Sequence, residues 1–257
     1  MMQTELIPKV YKRGRDLWTR DLLLNALTVS SGAIDAISFL ALGKVFSAFM
    51  TGNIAFLGLQ VAGAGGPGHV AIFASMVAFA LGVYVSTRIV RGSEDTGTWP
   101  QQVTIALGIS LIAHAAFVAL WVASNGKPTV DVAHVLLACW GFAMGMQSAA
   151  VRTLKVEGIF TTAATATIIF LVGDLTNWPA TVAERRRLVG VLVSLFIGAT
   201  AGGLLLMHAP IYAPVLSFVI TIAAVATATI VFRKSKAADE REPANAPDLK
   251  LKHQGNA

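Results

Sequence analysis

The stretch Gly32-Ala-Ile-Asp-Ala-Ile-Ser-Phe-Leu-Ala-Leu-Gly-Lys-Val-Phe-Ser-Ala-Phe-Met-Thr-Gly-Asn-Ile54 decides how the chain is read. It places an acid, Asp35, inside an apolar run, breaks at Gly43-Lys44, and restarts at Met50-Thr51-Gly52-Asn53. A weaker copy follows at Gly145-Met-Gln-Ser-Ala-Ala-Val-Arg-Thr-Leu-Lys-Val-Glu-Gly-Ile-Phe-Thr-Thr-Ala-Ala-Thr-Ala-Thr-Ile168. At one common offset Phe46 falls on Phe160, Thr51 on Thr165, Ile54 on Ile168, Phe56 on Phe170 and Leu57 on Leu171. These two stretches are read as the centres of two related halves, about 22–124 and 132–232. Paired short or interrupted segments in matching halves point to the central site of a transporter.

Working outward, the 257 residues are 55% hydrophobic and 13% charged. Soluble domains carry about 25% charged residues, so this chain cannot cover a water-facing surface. Several apolar runs reach roughly the 20 residues that cross a bilayer's hydrocarbon. They are continuous, without the alternating polarity of barrel strands. The fold class is therefore all-α, a polytopic transmembrane helical bundle forming a single domain over 22–232. The net charge of +6 does not argue for nucleic acid, because the basic residues flank apolar runs, where they set topology and meet lipid headgroups. The single Cys139 excludes an internal disulfide framework.

Apolar segments run about 22–42, 46–63, 69–90, 101–123, 132–151, 159–178, 188–208 and 211–232. Residues 1–21 form a polar, cytoplasmic amino-terminal segment, and the run after them is too long for a cleaved signal. From Arg233 the chain is charged and carries Pro243 and Pro247. Residues 233–257 are expected to be a disordered cytoplasmic tail. The second and sixth segments are short and polar at their starts. If they enter and return on one side, six spans remain. The amino terminus, Arg88/Arg91, Arg152/Lys155, Arg185-Arg186-Arg187 and Arg233-Lys234 then all fall inside, with only Lys44 and Lys127 outside. Charge asymmetry favours this six-span arrangement with two re-entrant or discontinuous segments. The alternative, eight full spans, rests on segment length.

Asp35 lies roughly 20 Å along the first span at 1.5 Å per residue. Thr28, Ser31, Asp35 and Ser38 fall on one helical face, so a polar stripe is expected toward the interior or a wet path. Asp35 is either a proton or cation site, or a structural acid bonded to a neighbouring hydroxyl or to Arg152. Thr51 is a candidate cap for the second segment, with Gly52 allowing close backbone approach and Asn53 offering donor and acceptor. Amides at such a start can face an anion. Gln147, Thr165 and Thr167 are the matching candidates in the second half. His114 is a candidate proton relay, or a residue bonded across helices. Gly141/Gly145 and Gly198/Gly202 have the G-x-x-x-G spacing of tight helix packing. Asp174 and Asn177, like Trp18, Trp99, Trp121 and Trp178, are expected at the interface.

Gly32-x-x-Asp35-Ala36, Val45-Phe46 and Met50-Thr51-Gly52-Asn53 resemble the YoaK family of bacterial membrane proteins of unknown function. Gly141-Phe-Ala-Met-Gly-Met-Gln147-Ser-Ala-Ala-Val-Arg152 is similar to its second signature. The resemblance covers most of 22–232 and implies a protein of the bacterial cytoplasmic (inner) membrane. Where the family shows a second Thr-Gly pair, this chain has Thr165-Ala166.

No nucleophile, metal or nucleotide motif is present: no C-x-x-C, H-E-x-x-H, Walker loop or G-x-S-x-G on a strand–helix turn. The chain is thus expected not to be an enzyme and to need no cofactor or metal. The expected role is a small-molecule permease or channel. The alternative is a non-transporting scaffold or regulator. Expected partners are the lipid bilayer and a small solute or ion, not nucleic acid, with a homo-oligomer also allowed.

Overall fold

The computed structural model describes residues 6–91, 97–156, 164–173 and 182–241, with side chains from residue 14 to 233 within those ranges. The elements, in order, are α1 (Leu6–Ala41), α2 (Met50–Val61), α3 (His69–Val90), α4 (Gln101–Ala123), α5 (Val130–Arg152), α6 (Ala164–Gly173), α7 (Val182–His208), a 3-10 turn (Pro210–Tyr212) and α8 (Ala213–Arg241). Six helices, α1, α3, α4, α5, α7 and α8, are long and apolar enough to cross a membrane.

The two short helices return to the side from which they start. A 12-residue α2 is about 18 Å long, short of the ~30 Å hydrocarbon core. The end of α1 (Ile37), the linker after it (Leu42, Val45, Ala48) and the start of α3 (Ala71, Ile72) pack in one apolar cluster. The chain therefore leaves α1 and enters α3 at one end of the bundle. The end of α5 (Ala150, Val151) and the start of α7 (Leu188, Val191) pack together in a second cluster, so α6 also lies between two helix ends at the same level. The eight-span alternative does not fit this packing. We term the end carrying the start of α1 proximal and the opposite end distal. The proximal ends of α3, α5, α7 and α8 carry Arg88, Arg152, Arg185–Arg187 and Arg233.

Two helix pairs hold the bundle, α1 with α7 and α3 with α5. Glycines set both. A Cβ on Gly32 would strike the Leu195 carbonyl, and one on Gly198 the Val29 carbonyl. A Cβ on Gly82 would strike the Phe142 carbonyl, and one on Gly145 the Phe79 carbonyl. The contacts advance in the same sense along both members of each pair (Val29 with Gly198, Ala33 with Gly202; Ser75 with Gly141, Phe79 with Gly145), so each pair is parallel. Small residues permit this backbone approach where lipid supplies no hydrophobic drive between helices. Between the pairs, α4 packs on α5 and α8, and α8 packs on α1.

Three expectations are corrected. The polar segment 1–21 is not separate, because α1 begins at Leu6. Residues 233–241, expected to be disordered, are helical, because α8 continues to Arg241; the run Lys-Ala-Ala-Asp-Glu-Arg consists largely of good helix formers, and residues 242–257 lie outside those described. Of the expected interfacial tryptophans among the described residues only Trp18 is exposed, while Trp99 and Trp121 are buried. Trp121 donates its Nε1–H to the Pro210 carbonyl at 2.9 Å, and Trp99 stacks on Phe232. Each ring thus finds protein partners. Trp178, Asp174 and Asn177 lie outside the described residues.

Candidate functional site

The sequence candidates occupy two separate places. The first surrounds the linker from α1 to α2. Helix α1 stops because Gly43 takes φ 96° and Lys44 follows at φ 65°, a left-handed conformation that costs little at glycine. The next residues run without helical bonding and are held by side chains. Asp35 Oδ1 accepts the Ser47 N–H at 2.9 Å and the Ala48 N–H at 2.8 Å. Ser38 and Ser47 share a hydroxyl bond of 2.8 Å. Asn53 accepts the Phe46 N–H at 3.0 Å and donates to the Phe46 carbonyl at 2.7 Å. The Ser75 hydroxyl, from α3, donates to the same carbonyl at 2.7 Å. In a bilayer every such amide must find a partner inside the protein. Asp35, Ser38, Asn53 and Ser75 therefore form a clasp on Phe46–Ala48.

Neither partner expected for a structural Asp35 is used. Its bonds go to backbone amides, and Arg152 stands exposed at the proximal end, away from the distal clasp. Thr51 does not cap α2, whose N-cap is Phe49 without a side-chain bond, and Thr51 is exposed. The Met50, Gly52 and Asn53 amides bond to Ala48 and Phe49 carbonyls, which takes them away from a ligand. Gly52 is needed because a Cβ there would press on the Phe46 and Phe49 rings. Replacing Asn53 with Leu, a near-isostere, strips the Phe46 N–H of its acceptor. We expect a loss of about 2 kcal/mol, read as a lower unfolding temperature in detergent, with Ser75→Ala giving a smaller loss.

Thr165 is exposed and Thr167 fully buried in α6, as Thr51 is exposed and Asn53 buried in α2. The two short helices lie at the rim. Each buries one residue and leaves apolar side chains outside, Ile54, Leu59 and Val61 on α2 and Ile168, Ile169 and Phe170 on α6. The structure thus does not bring Thr51, Gly52 and Asn53 together with Gln147, Thr165 and Thr167.

The second place lies mid-bundle and contains Gln147 and His114. The proximal apolar cluster takes Leu27 from α1, Leu107 from α4, Ala150 from α5 and Ala224 from α8. The distal cluster takes Ile34, Phe117, Trp140 and Ala213 from the same helices. Between them each helix buries polar side chains: Ser30 and Ser31, Ser110 and His114, Gln147, Ser217 and Thr221, none more than 1% exposed. Gln147 donates to the Leu27 carbonyl at 3.3 Å, and Ser30 bonds the Ser217 carbonyl at 3.3 Å and meets Thr221 at 3.5 Å. The expected interior stripe on α1 is present, since Thr28, Ser31 and Ser38 are buried. It is divided, with Ser31 in this belt and Asp35 and Ser38 in the clasp. Ser30, Ser110, Ser217 and Thr221 were not singled out from sequence. Their signal was Ser and Thr at helical spacing inside otherwise apolar runs, as at Ser217 and Thr221.

Six spanning helices with two short returning ones define an integral membrane protein of the polytopic helical class. The family described as "Protein of unknown function (DUF1275)" matches residues 23–229, and the chain belongs to it. The chain is 36% identical to the UPF0700 transmembrane protein YoaK of Bacillus subtilis (strain 168) over 161 residues, 62% of this chain and 68% of that protein. No solved structure matches the chain.

Proposed function

We propose that the protein is a small-solute permease of the bacterial cytoplasmic membrane, with both termini cytoplasmic, and that the mid-bundle belt is its solute site. The observation that carries this reading is the belt itself, polar side chains from four helices enclosed between two apolar clusters. Polar groups are costly inside a membrane, and where they gather in a bundle interior they can line a solute path as well as bond helices together. The clasp is assigned to structure, and Thr51, Gly52, Thr165 and Thr167 to the rim. The orientation follows from the proximal arginines and the positive-inside preference.

The helix packing supports a reading of the chain as two inverted halves. Exchange α1 with α5, α2 with α6, α3 with α7 and α4 with α8, and the contacts among the eight described α-helices map onto one another, the 3-10 turn alone having no counterpart. Gly32 against Leu195 corresponds to Gly145 against Phe79, and Gly198 against Val29 to Gly82 against Phe142. Inverted repeats with sites at their interface are the pattern of alternating access. In this reading the two clusters are the gates, and the chain performs no covalent chemistry.

Alternating access brings the belt into contact with water on one side and then the other. A Ser217→Cys variant in a Cys139→Ser background is expected to react with methanethiosulfonate ethylammonium in native membranes. Leu27→Cys, inside the proximal gate, is expected to react far more slowly. A scaffold keeps its centre closed: no labelling at position 217 overturns the permease reading.

A further inference from the structure

The belt and the edge of the distal gate beside it contain polar groups that no described residue answers. His114 is 1% exposed and Ser31 fully buried, and neither ring nitrogen of His114, nor the Ser31 hydroxyl, nor the Trp140 indole N–H has a hydrogen-bond partner. Buried polar groups in native proteins are nearly always paired, so each exception calls for an explanation, an unseen water or ligand among them.

These groups fall within the same part of the bundle. The Trp140 ring stacks on Phe117 with centroids 3.4 Å apart, which fixes the register of α5 on α4. Counting inward along α4, His114 lies one turn from Phe117 and Ser110 two turns. Counting along α5, Gln147 lies two turns inward from Trp140, level with Ser110. Gln147 donates to the Leu27 carbonyl of α1, and Ser31 lies one turn outward from Leu27, level with His114. Ser31 of α1 and His114 of α4 thus share one level, and Trp140 of α5 lies one turn further out, at the inner edge of the distal gate.

The charge at this place decides the class of occupant. Between the gates α1, α4, α5 and α8 contribute no lysine, arginine or acid. The nearest carboxylate, Asp35, is one turn outward from Ser31 and gives Oδ1 to two linker amides. An ion brought here would lose its hydration, and the nearest carboxylate is already bonded to the linker. The unanswered groups include donors (indole N–H, hydroxyl) and acceptors (hydroxyl, one imidazole nitrogen). We infer that the mid-bundle site between His114, Ser31 and Trp140 takes a small uncharged solute bearing hydroxyl or amide groups. This rests on the permease reading and names its substrate class.

The test uses purified full-length protein in liposomes, with light scattering after osmotic steps of glycerol, urea or impermeant sucrose, and potassium and chloride fluxes followed in parallel. Glycerol or urea is expected to enter several-fold faster than into protein-free liposomes. His114→Leu and Ser31→Ala are each expected to reduce that entry at least threefold while eluting as folded protein. Potassium or chloride flux without glycerol or urea entry overturns the uncharged class and leaves a permease. Water permeation alone, read with sucrose, overturns the solute and leaves a water-filled site. No flux of any probe, with position 217 still reactive, overturns the substrate class; with position 217 unreactive, the permease reading falls first. Full glycerol or urea entry through both variants removes His114 and Ser31 from the site.

Discussion

Gly145→Val should unfold much of the protein or split its two halves apart. A Cβ at Gly145 meets the Phe79 carbonyl and the Val83 amide nitrogen, both backbone atoms of α3. Backbone cannot swing aside as a side-chain tip does, so α3 and α5 must separate along their contact. Overpacking of this kind costs about 3 kcal/mol or more when helices must shift, or about 6–12 °C in unfolding temperature for a chain of this size. Size-exclusion chromatography of detergent-solubilised protein after a heating series reads it. Gly198→Val, pressed on the Val29 backbone, should behave alike. Gly58→Ala is the control, since nothing lies within 4 Å of a Cβ there and alanine is the better helix former. Equal melting of Gly145→Val and wild type would remove the close pairs as the basis of the fold.

Asp35→Ala should be nearly as damaging, and Asp35→Asn should not. Alanine leaves the Ser47 and Ala48 amides without an acceptor in a region closed to water, a loss of ~3 kcal/mol from two unmet donors. Asparagine retains one carbonyl oxygen, and a single oxygen, Oδ1, takes both bonds. Its cost is the charge assistance alone, about 1 kcal/mol. Thermal unfolding of the two variants separates these outcomes. The clasp also predicts that Asp35→Asn supports any solute flux near the wild-type rate. A stable Asp35→Asn protein devoid of flux would return Asp35 to the transport path.

The architecture was legible in the sequence because it follows from run length, the Gly43-Lys44 break and the placement of arginine, all local properties. The G-x-x-x-G pairs disclosed which faces pack, though not that Gly32 and Gly82 would complete the contacts from the other helix. The site was less legible. Asp35, Asn53 and Thr51 lie close in sequence at a helix break, and an acid there reads equally as ligand or brace. Only the positions of the Phe46, Ser47 and Ala48 amides distinguish the two. The belt was hidden for another reason: its members come from four helices, and a lone serine in an apolar run carries no sign of what faces it. His114 was visible as an oddity, but its lack of any partner is a property of the surrounding helices.

The parallel pairing of α1 with α7 has a consequence for how the molecule is made. Between the two lie three complete spans, so α1 enters the bilayer with its glycine-lined surface bare and must wait for most of the chain to emerge from the ribosome. The α3–α5 contact closes sooner, with a single span between its members. Synthesis therefore assembles one tight pair early and leaves the other open until nearly the end. Chains cut short after α5 would hold the first and lack the second, and quality-control proteases that survey unpaired membrane segments would meet α1 in that bare state.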